Sequence, residues 1–392
     1  MPRRPSGATR RRHLVEKLEA SGALGERAVR RAFLVVPRER FLPGRALDEV
    51  YEDKAIVTRH DASGAPTSSS SQPSIMALML DRLELTPGMR VLEIGAGTGY
   101  NAALLSTVVG DAGQVTSVEV EPDLARAAAA ALAEGGYGAT VVTGDGREGW
   151  PPGAPYDRIV VTASTDAVYR PWFDQLRPGG LLELPLQVKG FDVQVVVTLR
   201  KEGGRLRSTA AVDGGFMMLR DPDAAPKGYV GSSVTVTDHA DGRRRSLGAL
   251  SGRDLRRLNP SARRRLAALM LTEPRTRRLG RASGSATLWL LLARPRGAIV
   301  ARYFRSDLGK HSHGAAAVAA VDGRSLALAV GTRMESYGDG RADDALSALL
   351  AQWRHAGRPA TEDLDVTVRY RDDGSPRLTF GWRAPSTVRS RR

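Results

Sequence analysis

The stretch Val91-Leu92-Glu93-Ile94-Gly95-Ala96-Gly97-Thr98-Gly99-Tyr100 decides the fold of this 392-residue chain. An apolar run typical of a buried strand leads into three glycines at alternate positions, and an apolar helical pattern follows. Glycine has no Cβ, so the backbone of such a turn can approach a bound ligand closely. The helix that begins after the turn also offers unpaired N–H groups. The stretch predicts a ligand-binding turn at the end of a strand, and a purely structural glycine turn is the alternative.

Predicted strands and helices alternate on both sides of this turn. Strands are expected at 90–96, 114–120, 139–144, 156–163, 181–187 and 193–199, and helices at 73–83, 99–109, 122–134 and 167–176. This alternation predicts a parallel sheet with helices on both faces. Upstream, residues 14–34 have the pattern of two short amphipathic helices, and the stretch 61–71, rich in Ser, Gly and Ala, is expected to be a loop.

The character of the chain changes beyond about residue 225. Residues 243–281 hold thirteen arginines but only two acids, Asp254 and Glu273. Strands are then expected at 287–293, 297–303, 325–330 and 365–370, with a helix at 343–355. We therefore predict an α/β protein with a sheet domain over residues 1–225 and an α+β domain over residues 226–392.

Composition excludes several classes of protein. The chain has no cysteine, which rules out disulfide scaffolds, Cys-ligated zinc and thiol nucleophiles. Its hydrophobic stretch 286–293 is far shorter than the roughly 20 residues that span a bilayer. No apolar segment of the signal-peptide type follows the basic N-terminus, so we expect a cytoplasmic protein without membrane contact. The net charge of +15 indicates either an acidic partner or a solvated, arginine-rich surface.

Two acids follow the glycine turn at informative spacings. Glu119 ends the second predicted strand, about 20 residues after the last glycine, where a carboxylate can accept hydrogen bonds from ribose hydroxyls. Asp145 closes the third strand, within reach of an adenine amino group. The spacing G-x-G-x-G, with Glu93 inside the first strand, resembles S-adenosylmethionine-dependent methyltransferases. The predicted cofactor is S-adenosylmethionine, and its predicted binding residues are Glu93, Gly95, Gly97, Thr98, Gly99, Glu119, Asp145 and Gly146.

Residues 14–187 resemble protein-L-isoaspartate (D-aspartate) O-methyltransferases. The matching segments, in family order, are Val36-Pro37-Arg38-Glu39-Arg40-Phe41-Leu42-Pro43, Tyr51-Glu52-Asp53, Ser71-Gln72-Pro73, 93–100, Gly144-Asp145-Gly146 with Gly149-Trp150, Tyr156-Asp157, Val161-Thr162-Ala163 and Leu176-Arg177-Pro178-Gly179-Gly180. The resemblance implies a Rossmann-like methyltransferase sheet and methyl transfer to an Asp or isoAsp carboxylate of a peptide or protein. A carboxylate is ionised at neutral pH and needs no general base, so alignment and desolvation carry such a reaction.

The resemblance also implies the acceptor residues. In the family, the serine of Ser-Gln-Pro lies beside the substrate carboxylate, which gives this role to Ser71, with Ser70 as its catalytic neighbour. A flexible Ser-rich linker is the alternative. We expect no metal site, because His311 and His313 have no third ligand. Residues 214–218 are expected either to line the peptide groove or to pack as a strand end. The implied substrate-binding residues are Ser69, Gln72, Thr162 and Ala163.

Two features depart from the repair enzymes of the family. Those enzymes usually carry His-Gly-Gln-Thr-Ile-Ser-Gln-Pro, whereas Ser69-Ser70 stands here in place of Thr-Ile and the preceding loop looks longer. The chain also has a C-terminal extension of about 165 residues, which a typical bacterial repair enzyme lacks. Both departures resemble homologues that act on ribosomally synthesised peptides (lanthipeptides, lasso peptides and graspetides).

That subgroup implies a specific product. An L-Asp of a modified peptide is methylated, and the following backbone N–H attacks the ester to give an aspartimide. The arginine-rich C-terminal domain would then help to hold an acidic peptide. The alternatives are isoaspartyl repair, a non-catalytic peptide binder, and a nucleic-acid methyltransferase. Against the last, Thr162-Ala163-Ser164-Thr165 stands where base-amino methylases carry an Asn-Pro-Pro-Tyr type of motif, so we expect no nucleic-acid partner.

Overall fold

The computed structural model describes residues 5–62, 64–188, 193–220, 233–238, 245–251, 253–279, 285–293, 295–305, 315–330 and 332–383. The described helices are α1 Gly7–Ala20, α2 Arg27–Val35, α3 Leu47–Val50, α4 Pro73–Arg82, α5 Tyr100–Val109, α6 Pro122–Gly135, α7 Arg170–Gln175, α8 Pro260–Leu269, α9 Ser285–Leu292 and α10 Arg341–His355. The described strands are β1 Ile56–His60, β2 Pro66–Ser70, β3 Arg90–Ile94, β4 Gln114–Glu119, β5 Ala139–Thr143, β6 Tyr156–Val161, β7 Leu176–Gln187, β8 Gln194–Glu202, β9 Arg205–Asp213, β10 Ser233–Asp238, β11 Arg245–Ser251, β12 Arg275–Arg278, β13 Ala298–Arg305, β14 Ala315–Ala320, β15 Ser325–Val330, β16 Arg333–Gly338, β17 Leu364–Tyr370 and β18 Pro376–Trp382.

A nine-stranded mixed sheet carries the glycine turn, in the order β18-β17-β9-β8-β7-β6-β3-β4-β5. The block β5-β4-β3-β6-β7 is parallel, which confirms the predicted α/β fold. Beyond it, β8 and β9 form an antiparallel hairpin closed by Gly203-Gly204. Gly203 has φ +57°, a backbone conformation that favours glycine. The sequence analysis did not identify β9.

The helices bury their apolar faces in one core. Leu14 and Leu18 of α1, Phe33 of α2 and Leu80 of α4 are almost fully buried, together with the apolar side chains of α5. Val91 and Val160, from the neighbouring strands β3 and β6, belong to the same cluster. Burying such large side chains stabilises each by about 1.5–3 kcal/mol. This core fixes the strand ends at which the candidate site lies.

Two local predictions are wrong. Part of the expected loop 61–71 is strand β2, which pairs antiparallel with β1, with Ile56 opposite Ser70 and His60 opposite Pro66. Serines have weak strand propensity, so only the pairing with β1 reveals the strand. The expected strand 287–293 is the helix α9. A short apolar run does not distinguish a buried strand from a buried helix.

The chain divides into two compact units. The first comprises residues 1–186, 194–226 and 366–379, and the second comprises 187–193, 227–365 and 380–392. The prediction that residues 226–392 form one domain therefore differs from the structure at 366–379. There β17 pairs with β9 of the first unit, with Thr367 opposite Arg207 and Val368 opposite Leu206. Hydrophobic periodicity identifies a strand but not its partner.

The second unit contains a seven-stranded antiparallel sheet, in the order β10-β11-β13-β14-β15-β16-β12. Helix α8 contacts β10 and β15, and α9 and α10 contact β14. Leu266 of α8 packs in a core with Ile299, Ala317 and Leu328 of the sheet. This is the α+β architecture that the sequence predicts for the C-terminal part.

Candidate active site

One cavity of about 760 Å³ lies in the first unit, at the carboxyl ends of β3, β4 and β6. Ligands of open α/β sheets bind at this edge. Its walls are β2, the glycine turn, α4 and the segment 212–220. The predicted site residues that line it are Ser69, Ser70, Ser71, Gln72, Glu93, Gly95, Gly97, Thr98, Glu119, Gly146, Thr162 and Ala163. Gly99 and Asp145 do not line it.

The glycine turn has a conformation that side chains would disrupt. Gly95 has φ +98°, and a Cβ on it would lie 2.5 Å from Thr162 Oγ1. That hydroxyl donates to one of the carbonyl oxygens of Ile94, at 3.0 Å, and Gly95, at 2.7 Å. Gly99 has φ +86° and packs against Ala128, so it positions α5 rather than contacting the cavity. Thr162 thus fixes the turn from the neighbouring strand.

Glu119 lies where the sequence predicts an acid. Its side chain is 6% exposed, and its carboxylate accepts hydrogen bonds from the backbone N–H groups of Gly97 at 2.9 Å and Glu121 at 3.2 Å. Each carboxylate oxygen has a further lone pair, so hydroxyl groups of a ligand can still bind. Glu119 therefore joins the end of β4 to the glycine turn.

Asp145 follows β5 and is not among the residues that line the cavity. Its carboxylate accepts from the backbone N–H of Arg147 at 2.9 Å and forms an ion pair with the guanidinium of Arg147 at 2.7 Å. Gly146 next to it lines the cavity, and its carbonyl accepts from the indole N–H of Trp172 at 2.7 Å. The contact of Asp145 with adenine stays a prediction.

Glu93 is fully buried beneath the glycine turn. Its carboxylate accepts hydrogen bonds from the amide of Asn101 on α5, at 2.8 Å, and from the hydroxyl of Ser117 on β4. Burial raises the pKa of Glu93 to about 7, although these two hydrogen bonds oppose the shift. Glu93 thus ties β3 to α5 and β4, and its direct contact with the cofactor stays a prediction.

The Ser-rich strand β2 forms the opposite wall and is anchored by an arginine that sequence reasoning missed. Arg38 is fully buried, and its guanidinium donates to Ser70 Oγ at 3.1 Å, to the Ser71 carbonyl at 2.9 Å and to the Val50 carbonyl at 2.8 Å. Arg38 lies in the segment Val36–Pro43, which resembles the family, but the sequence of that segment does not indicate which residues Arg38 contacts.

Gln72 connects this wall to the start of α4. Its side-chain amide donates to Asp53 Oδ2 at 3.2 Å, while Asp53 Oδ1 accepts the backbone N–H of Ser74 at 2.8 Å. Pro73 occupies the first turn of the helix, where its missing N–H costs nothing. Gln72 lines the cavity, and its contact with substrate stays a prediction.

The segment 214–220 covers the remaining side of the cavity with apolar side chains, including Phe216 and Met217. Gln194 holds it in place, because its amide donates to the Phe216 carbonyl at 3.0 Å and accepts the Phe216 N–H at 2.6 Å. The N–H of Ser164 also donates to the Met217 carbonyl at 2.7 Å. This segment therefore lines the cavity, and its contact with a peptide stays a prediction.

The expected absence of a metal site and of a membrane-spanning helix can be examined only in the residues that the structure describes. Within the described ranges, no three His, Cys, Asp or Glu side chains come together as a metal site would require. His311 and His313 lie outside the described residues. No described helix has both the length and the apolar character that crossing a membrane demands.

The residues fit S-adenosylmethionine. Gly95 has no Cβ, which would collide with Thr162, so its backbone lines the cavity directly. The buried Glu119 lines the same cavity. A turn of this kind admits the amino-acid and ribose parts of a nucleoside ligand, and acids accept hydrogen bonds from hydroxyl groups. When bound, the cofactor supplies an electrophilic methyl group on sulfur.

Comparisons with known proteins agree with this geometry. Residues 9–221 match the family model of protein-L-isoaspartate(D-aspartate) O-methyltransferase. The chain is 39% identical to the protein-L-isoaspartate O-methyltransferase of Hyperthermus butylicus over 202 residues, which are 49% of this chain and 81% of the relative. It is 45% identical to that of Thermotoga maritima over 163 residues, 41% of this chain and 51% of the relative.

A solved structure of a protein-L-isoaspartate O-methyltransferase matches at a TM-score of 0.54 and 28% identity. The match covers 94% of this chain and 99% of the other, so it extends over the second unit as well. The family model, these relatives and the glycine-turn cavity agree. The chain belongs to the protein-L-isoaspartate(D-aspartate) O-methyltransferase family and is an S-adenosylmethionine-dependent O-methyltransferase.

Proposed function

We propose that the protein methylates the side-chain carboxylate of an ordinary L-Asp in a ribosomally synthesised, modified peptide, and that the ester then closes to an aspartimide. One carboxylate oxygen forms a bond to the methyl carbon while the carbon–sulfur bond breaks, and the electron pair stays on sulfur. No proton moves in this step. The neighbouring backbone nitrogen of the peptide then attacks the ester carbonyl, loses its proton, and methanol leaves.

The acceptor wall is the observation that carries this proposal. Serines occupy positions 68–71, and the hydroxyl of Ser70 is held in the wall where the family has isoleucine. Ser71, beside the start of α4, is the residue that we propose to align the substrate carboxylate. A cavity lined by serines on one wall and by the apolar side chains of 216–219 on another suits one carboxylate on a compact peptide.

Isoaspartyl repair is the second candidate, and the solved relative favours it. That structure matches the second unit too, so the extension no longer argues for peptide tailoring. The tailoring proposal therefore depends on the acceptor wall. The cytoplasmic location and the peptide or protein nature of the substrate are part of both candidates.

We also propose that the second unit helps to hold an acidic peptide. Its edge strand β12 is exposed along its whole length. Arg278 lies opposite Arg333 of β16, and both side chains are exposed. Like charges directly opposite each other repel, so an acidic segment bound there would relieve the repulsion.

Mass spectrometry of two peptide pairs tests the proposal. The enzyme and S-adenosylmethionine are incubated with a synthetic isoaspartyl peptide and its L-Asp control, and with a synthetic crosslinked L-Asp peptide and its uncrosslinked form. We expect a methylated and then cyclised product from the crosslinked L-Asp peptide alone. A gain of one methyl on the isoaspartyl peptide alone would establish the repair activity instead. Turnover of neither pair would contradict both candidates.

A further inference from the structure

Arg38 is a buried cation, and none of its described hydrogen-bond partners is a carboxylate. Its side chain is 0% exposed, and its described hydrogen-bond partners are neutral oxygens on Val50, Glu52, Ser70 and Ser71. Within the described residues its Nε has no partner. The centroid of the Tyr100 ring lies 5.8 Å from the guanidinium carbon, so a cation–π interaction offsets part of the cost of burying the charge. Burial lowers the pKa of Arg38 and the charge of Asp53 partly opposes that shift, but no described carboxylate forms an ion pair with the guanidinium, so its burial remains costly.

Ser70 links this cation to the cavity. Its oxygen accepts from Arg38, so its single proton remains available, and no described residue accepts that proton. The side chain is 4% exposed and lines the cavity beside Ser71 and Tyr100. A hydroxyl whose oxygen accepts from a cation becomes a stronger donor, because each bond polarises the next.

We propose that Ser70 donates its hydroxyl proton in a hydrogen bond to the substrate carboxylate, and that Arg38 is the positioning residue that orients and polarises Ser70. The assignment rests on the proposed carboxylate acceptor, whether L-Asp or isoAsp. It is particular to this chain, because the family usually has isoleucine at this position and the guanidinium would then have no hydroxyl partner there.

The charge balance of the reaction defines the expected kinetic signature. The substrate oxygen is anionic before methyl transfer and neutral afterwards, so a hydrogen bond from Ser70 is stronger in the ground state than in the transition state. Such an interaction lowers KM and does not raise kcat. Replacing Ser70 should therefore weaken peptide binding while leaving kcat unchanged or slightly higher.

The test uses full-length Ser70→Ala and Arg38→Lys variants with the peptide of the pairs above that the wild type methylates. Ser70→Ala should raise KM for that peptide about tenfold, with kcat and the Kd of S-adenosylmethionine unchanged. Inhibition by the same peptide carrying Asn in place of the acceptor residue should weaken only about twofold, because the neutral amide oxygen accepts a weaker hydrogen bond than a carboxylate does. Arg40→Lys is the matched control, since Arg40 lies in the same turn but donates to the Glu134 carbonyl instead.

A double variant separates positioning from a structural role. If Arg38 acts through Ser70, Arg38→Lys combined with Ser70→Ala should have the KM of Ser70→Ala alone, rather than the product of two increases. An equal loss of kcat and of affinity for the Asn peptide would overturn the assignment, as would additive effects. Absence of methylation of any probe by the wild type would instead overturn the proposed function, and this assignment with it.

Discussion

The two halves of the cavity are built in different ways. The cofactor half is built mainly from backbone. The glycine turn at Gly95 belongs to one strand–turn–helix segment, and Glu119, which binds a backbone N–H of that turn, ends the next strand. The acceptor half consists of side chains on β2, held by Arg38 from a turn 32 residues before Ser70. Local spacing therefore encodes the first half, whereas a long-range contact encodes the second.

The halves also differ in how charge is held. Glu93, beneath the cofactor half, has a pKa of about 7 because of its burial, so it titrates near neutral pH. Burial lowers the pKa of Arg38 in the acceptor half, but an arginine remains charged across the accessible pH range. pH should thus act on the first half and not on the second.

The largest expected effect is the pH dependence of stability from Glu93. Its folded pKa of about 7 lies above the ordinary value of 4.5, so its stabilisation is complete below about pH 4.5 and is lost as pH rises through about 7. That loss is on the order of 3 kcal/mol. Glu93→Gln should lack it. Urea unfolding of the ligand-free proteins from about pH 5 to about pH 8 measures the difference, and parallel pH profiles would contradict it.

Replacing Ser71 tests whether the acceptor half is functionally separate. Ser71→Ala should lower kcat/KM for the peptide about 100-fold, because a misplaced carboxylate no longer aligns with the methyl group. The Kd of S-adenosylmethionine, measured by calorimetry, should remain within about twofold of the wild type. A residue of the acceptor half should change the free energy of cofactor binding by no more than about 0.4 kcal/mol. Equal losses in both quantities would contradict the division of the cavity.

Gly95→Ala tests the cofactor half. A side chain at φ +98° and 2.5 Å from Thr162 Oγ1 should strain the turn by about 2 kcal/mol, and the free turn should relax to relieve that strain; returning it to the binding conformation then makes S-adenosylmethionine binding roughly 30-fold weaker. Gly110→Ala is the matched control, because Gly110 has φ +66° but nothing within 4 Å of its Cβ position. Calorimetry should give a normal Kd for that control. A normal Kd for Gly95→Ala would mean that the turn does not hold the cofactor.

The smallest effect should come from Tyr370, which lies in neither half. Its hydroxyl donates to one of the carbonyl oxygens of Val168, at 3.2 Å, and Tyr169, at 3.3 Å, joining β17 to the segment before α7. Tyr370→Phe should lower the free energy of unfolding by about 1 kcal/mol and leave KM and cofactor affinity unchanged. A change in either constant would show that β17 acts on the cavity.

The sequence predicts the position of the glycine turn and of Glu119 at the cavity, because a strand, three glycines and Glu119 follow one another at fixed spacings. It predicts the acceptor half only through resemblance, since β2 is recognisable as a strand only when paired with β1. Arg38 could not be assigned a role, because the serines it contacts lie more than 30 residues away. For the same reason, periodicity located β17 but did not identify β9 as its partner.

The most direct test of the account is the chemical nature of the methylated product. The enzyme is incubated with S-adenosylmethionine carrying a tritiated methyl group and either the peptide pairs above or transfer RNA, and the products are treated with mild base. A carboxyl methyl ester, or an aspartimide that forms from it, releases the label as volatile methanol, and the account predicts this with a peptide only. Label that stays on the peptide after base, or that appears on the RNA, would contradict carboxylate methylation.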